Sequence, residues 1–254
     1  MKLKQKQNCA STMSTNKIFC LGDGYAHGNI WPEWPQILQA LLPDLDVVTG
    51  TGVGAGNEFL IDTLLNFDCE NQTVIFQWAQ PNRFDKLLQD TQWKILAQQD
   101  PVYFDNFEHN TSGIWWLSSN SQTPKIQEYH EFFVQSEQEQ LRLKNQKILI
   151  ENYLQNKKCR YWFTSIKQQE EFCRSHQHKD LRGDQIQPST IMHFYFVVEC
   201  IKPALNLPIN DELQQALLEK ISQTQWKAFD PDRKYIWQEI CHEIRSKYKT
   251  IMNK

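Results

Sequence analysis

Residues 17–28 read KIFCLGDGYAHG. Residues 18–21 are a short apolar run stopped by Gly22, the pattern of a strand buried on both faces. Downstream the same grammar repeats. Residues 34–42 are apolar at helical spacing, with Trp34, Ile37, Leu38, Leu41 and Leu42 on one side, and Pro35 fits the first turn, where a missing N–H is harmless. Residues 46–49 predict a second strand. The Gly-rich stretch TGTGVGAGN follows, then a helix over about 58–66, then the strongest strand, TVIFQW, at 73–78. Strand, helix, strand, helix, strand predicts a parallel α/β fold of the three-layer α/β/α, flavodoxin-like kind.

The remainder is less regular. Residues 1–16 are polar and read as a flexible N-terminal arm. Residues 81–133 are aromatic and irregular and read as an insertion packed over the sheet end. A long helix is expected over 136–155, with Leu141, Ile148, Leu149 and Tyr153 near one face. A fourth strand is expected at 160–164. A polar, His-rich segment leads to RGDQIQPS, and a helix over 189–202 is expected to break at Pro203. Two further helices occupy 211–251, where Ile236, Ile240, Ile244 and Tyr248 recur every four residues. This tail is either a helical cap or a partner-binding face. The expected division is an α/β domain over 17–205 and a helical extension over 206–254.

Composition narrows the function. The chain has 254 residues, 40% of them hydrophobic, and nine Trp, which suffices for a substantial core. A net charge of -3 and scattered basic residues argue against nucleic-acid binding. The seven cysteines form no C-x-x-C pair and are odd in number, which speaks for a reducing compartment rather than a disulfide or zinc framework. No secretory h-region and no run of apolar residues long enough to span a membrane are seen, so a cytoplasmic location is expected.

The glycines allow several readings. GTGVGAG has G-x-G-x-G at Gly52, Gly54 and Gly56. It follows the second strand rather than the first and lacks a downstream acidic ribose ligand, so it is a weak dinucleotide signal, and no Walker loop is present. No cofactor is expected. His176, His178, His193 and Asp184 resemble a metal set only loosely, because residues two apart do not share a helix face; solvated histidines are the simpler reading and no metal is expected. Cys173 has no base beside it to make it a nucleophile. Asp23 either caps the turn after the first strand or forms an acid/base pair with His27 or His193. Of the aromatics Tyr25, Trp31, Trp34, Trp78, Trp93, Trp115, Trp116 and Trp162, those on strands (Trp78, Trp162) read as core. The others fit either core or an aromatic-lined cleft.

Four pieces nevertheless stand in a set order: GDG after strand one, GVGAGN after strand two, QWAQPNR after strand three, and Asp184-Gln185-Ile186-Gln187-Pro188-Ser189 before a late helix. This series resembles the SGNH (GDSL-like) hydrolase family over about residues 17–205, in a branch similar to phage and marine-bacterial versions. The resemblance implies a nucleophile in the first block, an oxyanion hole from a Gly and an Asn of the next two, and a late Asp-x-x-His. Carried across, Gly24 takes the nucleophile position and Gln187 the general-base position, and neither can do that work. Gln80 falls near the oxyanion Asn, one methylene longer. Gly54 or Gly56 keeps the second block, and Asp184 keeps the triad carboxylate without an imidazole to orient. His193 aligns outside the triad.

The expectation is therefore a degenerate catalytic site on a retained scaffold. Asp23, Tyr25, Gly54, Gly56, Asn57, Gln80, Arg83, Asp184 and His193 are the candidate binding residues. The implied function is binding or structure, with protein partners, a possible oligomer, and a place in phage virion assembly. The N-terminal arm and C-terminal helices would be the interaction elements. Two alternatives are an esterase or acetyl-hydrolase with a relocated site, and a carbohydrate-binding protein using the old cleft.

Overall fold

A computed structural model describes residues 17–23, 32–52, 54–81, 83–89, 107–110, 112–118, 136–175, 189–224 and 232–252. Its centre is a four-stranded parallel sheet of β1 (Lys17–Gly22), β2 (Asp46–Thr51), β3 (Thr73–Trp78) and β7 (Arg160–Ser165), in the order β2-β1-β3-β7. Three further strands, β4 (Phe84–Leu88), β5 (Phe107–Asn110) and β6 (Gly113–Ser118), lie between β3 and β7 in the chain. Ile18 pairs with both Val47 and Thr73, which puts β1 and β3 at the centre.

Alternation along the central strands divides the core. Ile18, Cys20 and Ile75 point to one face, where α1 (Trp34–Leu41) and α5 (Thr190–Phe196) pack. Phe19, Leu21, Val74, Phe76 and Trp78 point to the other, which α2 (Asn57–Leu65) and α3 (Ser136–Asn156) cover. Handedness explains the split. The step from β1 to β2 moves one way across the sheet and the steps from β2 to β3 and from β3 to β7 move the other way. Right-handed crossovers must then put α1 opposite α2 and α3. The sheet is covered on both faces, as parallel sheets are.

Several expectations need correction. Residues 81–133 are not irregular throughout: β4, β6 and β5 form an antiparallel sheet in that order, with Asn110 opposite Gly113 at the hairpin end. Gly113 has φ 135°, a conformation costly for any residue with a Cβ. This sheet packs on α2 through Trp115, whose ring meets Phe59 edge-on at 6.0 Å. Asp62 fastens the hairpin by accepting from Ser112 Oγ (2.9 Å) and Asn110 Nδ2 (2.8 Å). The polar segment after β7 begins as a helix, α4 (Ile166–Ser175), burying Ile166, Gln169 and Cys173.

On α3 the side that carries Leu141, Ile148 and Leu149 is not the buried one. Leu141, Ile148 and Leu149 are 57%, 49% and 66% exposed, whereas Ile150 and Leu154 are buried and Leu143 and Tyr153 pack beside them. Apolar residues lie on more than one side of this helix, so periodicity alone does not choose the buried side. Nor does Pro203 end the late helix. α5 runs through a π-helical turn, Val197–Ile201, into α6 (Lys202–Ala204). The wider turn accommodates a residue with no N–H and a ring that would otherwise crowd the preceding carbonyl.

The C-terminal helices α7 (Asp211–Gln223) and α8 (Arg233–Met252) share the core of α1 and α5. Leu213, Leu217, Ile221, Ile240 and Ile244 are buried there, with Ile236 and Tyr248 packed at the margin. Tyr248 also hydrogen-bonds Asp44, beyond the end of α1. Truncation before α7 should therefore give an unfolded or aggregating chain, checked by circular dichroism and gel filtration. Leu154→Ala and Leu217→Ala should each destabilise by about 2–5 kcal/mol in urea titration, and Leu149→Ala by less than about 0.5 kcal/mol.

Candidate functional site

Ligands of open parallel sheets bind beyond the carboxyl ends of the strands, where neighbouring connections leave in opposite directions. Here that point lies between β1 and β3. Asp23 directly follows β1, and Arg83 lies just beyond β3. Their side chains form an ion pair at 2.9 Å, with Asp23 3% and Arg83 17% exposed. The pair ties the first block to the third across the switch point.

The second block is closed by a residue that has no local sequence signal. Asp85, on β4, accepts from Gly56 N at 2.7 Å with Oδ1 and from Phe59 N at 3.0 Å with Oδ2. It thereby caps α2 from 29 residues away, satisfying amides that the helix itself cannot. A Cβ on Gly56 would stand 2.6 Å from Asp85 Oδ2, so the close approach requires glycine. Burial pushes the Asp85 carboxyl up to about 7, against the two amides that favour its ionised form. Gly54 adopts φ 77° and makes the turn into this loop. The Gly56 amide is thus already engaged.

Asn57 is equally committed. Its Oδ1 accepts from Ala79 N at 3.0 Å and its Nδ2 donates to Ala79 O at 3.4 Å, joining the start of α2 to the end of β3. Gln80 is exposed, and its carbonyl accepts from Arg83 N at 3.1 Å. Among the described residues of this rim, Gln80 is exposed and the Arg83 guanidinium partly so.

Beneath the rim, on the α5 side, runs a buried polar chain. Gln77 Nε2 donates to Gln169 Oε1, and Gln169 Nε2 stands 3.0 Å from His193 Nδ1. An amide nitrogen can only donate, so Nδ1 accepts and the imidazole carries its proton on Nε2. Burial holds His193 down at about 3, which keeps it neutral. Among the described residues, Gln77 Oε1 and Thr190 Oγ1 have no hydrogen-bond partner and are buried. Asp23 and His193 therefore answer to different partners, Arg83 and Gln169.

Gly24, Tyr25, His27, Trp31, Trp93, His176, His178, Asp184 and Gln187 lie outside the described residues. Trp34, Trp78 and Trp115 are buried in the core, and Trp162 packs against Phe196. Burial pushes the Cys173 thiol up to about 11, away from nucleophilic use. Among the described residues no group of three or more His, Cys, Asp and Glu side chains could hold a metal ion, and no helix is long and apolar enough to cross a membrane. Asp85 and Gln169 are the residues the sequence reading missed. Each acts on a partner far along the chain, and neither sits in a recognisable motif.

Asp85→Ala should cost about 2 kcal/mol of stability, since two helix-end amides lose their acceptor; Asp85→Asn, which keeps one acceptor, should cost less. The two shifted groups oppose each other in pH. The unfolded chain protonates His193 below its ordinary 6.5 while the folded chain resists until about 3, so this group removes stability as pH falls through that window. Folded Asp85 keeps its proton to about 7 although the ordinary value is 3.8, so this group removes stability as pH rises between them. Relative to wild type, His193→Gln should therefore gain stability on acidification from about pH 6.5 to 4, and Asp85→Asn on the reverse change. Urea titrations across that range measure both slopes.

Comparison with protein-family models, with curated proteins and with solved structures gives no match, so the site stands on its own geometry.

Proposed function

We propose that this chain is a degenerate relative of the SGNH hydrolases that binds other proteins rather than hydrolysing a substrate. The observation that supports the reading is that several described polar groups around the strand ends are engaged with one another. Arg83 holds Asp23, Asp85 fills the amides at the start of α2, Ala79 occupies Asn57, and Gln169 takes the one acceptor nitrogen of a neutral His193. A hydrolase needs these positions open to a reacting group, with a nucleophile and base in hydrogen-bonding reach. By the resemblance, Gly24 and Gln187 take the positions where those two would stand.

Protein contact is favoured over sugar contact by the same kind of observation. Trp34, Trp78 and Trp115 are buried, whereas Leu141, Ile148 and Leu149 stand exposed together on α3. Exposed apolar patches on otherwise polar helices mark contact surfaces. A place in virion assembly is part of this proposal and rests on the sequence resemblance.

Hydrolysis of p-nitrophenyl acetate tests the reading. The expected rate equals the buffer background and is the same for Asp23→Asn and His193→Gln. Turnover above background that either substitution removes would establish a relocated catalytic site and overturn the proposal.

A further inference from the structure

The opposite end of the sheet carries a thiol pair that the proposed function does not use. Cys69 precedes β3 and Cys159 precedes β7, and these strands are parallel neighbours with Thr73 opposite Arg160. Backbone bonds from Asn71 N to Lys157 O (2.9 Å) and from Arg160 N to Gln72 O (3.0 Å) hold the two turns together. Asn71 and Lys158 adopt φ 57° and 56°, so each turn contains a left-handed residue. This packing sets the Cys159 thiol 2.9 Å from the Cys69 carbonyl oxygen, to which it donates. Cys69 Sγ lies 3.9 Å from the Tyr153 hydroxyl, on the same side of these turns.

From this juxtaposition we infer that Cys69 and Cys159 form a peroxide-sensitive dithiol, which closes to a disulfide linking the turns before β3 and β7. The surroundings select Cys69 as the attacking sulfur. The Cys159 and Tyr153 hydrogen bonds stabilise its thiolate and hold it at about 7, although burial opposes them. Burial pushes Cys20, Cys173, Cys200 and Cys241 upward instead. Thiolate character governs reactivity toward oxidants. The pair is buried, with Cys159 9% exposed, so the oxidant must be as small as hydrogen peroxide.

The chemistry has two steps. The Cys69 thiolate attacks one peroxide oxygen, the O–O bond breaks, and hydroxide leaves, giving a sulfenic acid. The Cys159 sulfur then attacks the Cys69 sulfur, the S–O bond breaks, and the departing hydroxide takes up the thiol proton as water. Two thiols lose two electrons in total, and the peroxide is reduced to two waters once its hydroxide is protonated. A thiol reductant restores the starting state.

The test is brief treatment of the folded full-length chain with hydrogen peroxide, alkylation, and non-reducing peptide mapping. The expected product is a Cys69–Cys159 cross-linked peptide, formed at least about tenfold faster than oxidation at Cys173, Cys200 or Cys241. Cys159→Ser should replace the cross-link by a sulfenic acid at Cys69, trapped with dimedone, and Tyr153→Phe should slow the reaction at neutral pH. Absence of the cross-link in the wild-type chain, or its formation no faster than oxidation elsewhere, overturns the inference. The wild-type result decides this even where a variant fails to fold.

Discussion

Everything in this molecule follows from a parallel sheet that must be covered on both faces. Each central strand presents apolar side chains alternately to two cores, so neither face can be left in water. Polar function is thereby confined to the strand ends, and the helices are distributed by the handedness of the crossovers. The C-terminal helices belong to this constraint. Without α7 and α8, α1 would expose Ile37 and Leu41, which are buried in the core that Leu217 and Ile244 complete.

At the carboxyl ends of the strands, Asp23 and Asp85 find their partners within the chain. Asp85 does for α2 what a local Ser or Asp usually does at a helix start, but from a strand of the inserted sheet. That bond makes the insertion part of the domain, because removing it would uncap a central helix. Asp62 adds a second tie, between the hairpin and the outside of α2. Asp23 and Arg83 close the gap between β1 and β3. These contacts tie the ends of β1, β3 and β4 and the start of α2 to one another.

The amphipathic logic that reads α1 and α8 well fails on α3, for a physical reason. Ile37, Leu38 and Leu41 lie on a helix whose other apolar residues, Trp34, Pro35 and Ala40, are buried with them. Helix α3 carries Leu141, Leu143, Ile148, Leu149, Ile150 and Leu154 around more than half its circumference, and only the sheet decides which of them are covered. The hairpin of the insertion was illegible for a related reason. Its short strands become stable only when Trp115 reaches Phe59, a contact between residues far apart in the chain.

Sequence alone determined the α/β class, the parallel strands with their intervening helices, and the C-terminal isoleucine row. Those features are written locally, in period, punctuation and residue type. Tertiary structure decided the partners: Asp85 on the Gly56 and Phe59 amides, Asn57 on Ala79, Gln169 on His193, and Cys159 on Cys69. Each joins residues more than twenty positions apart. Burial and hydrogen bonding over such distances depend on how the layers close, which no local pattern specifies.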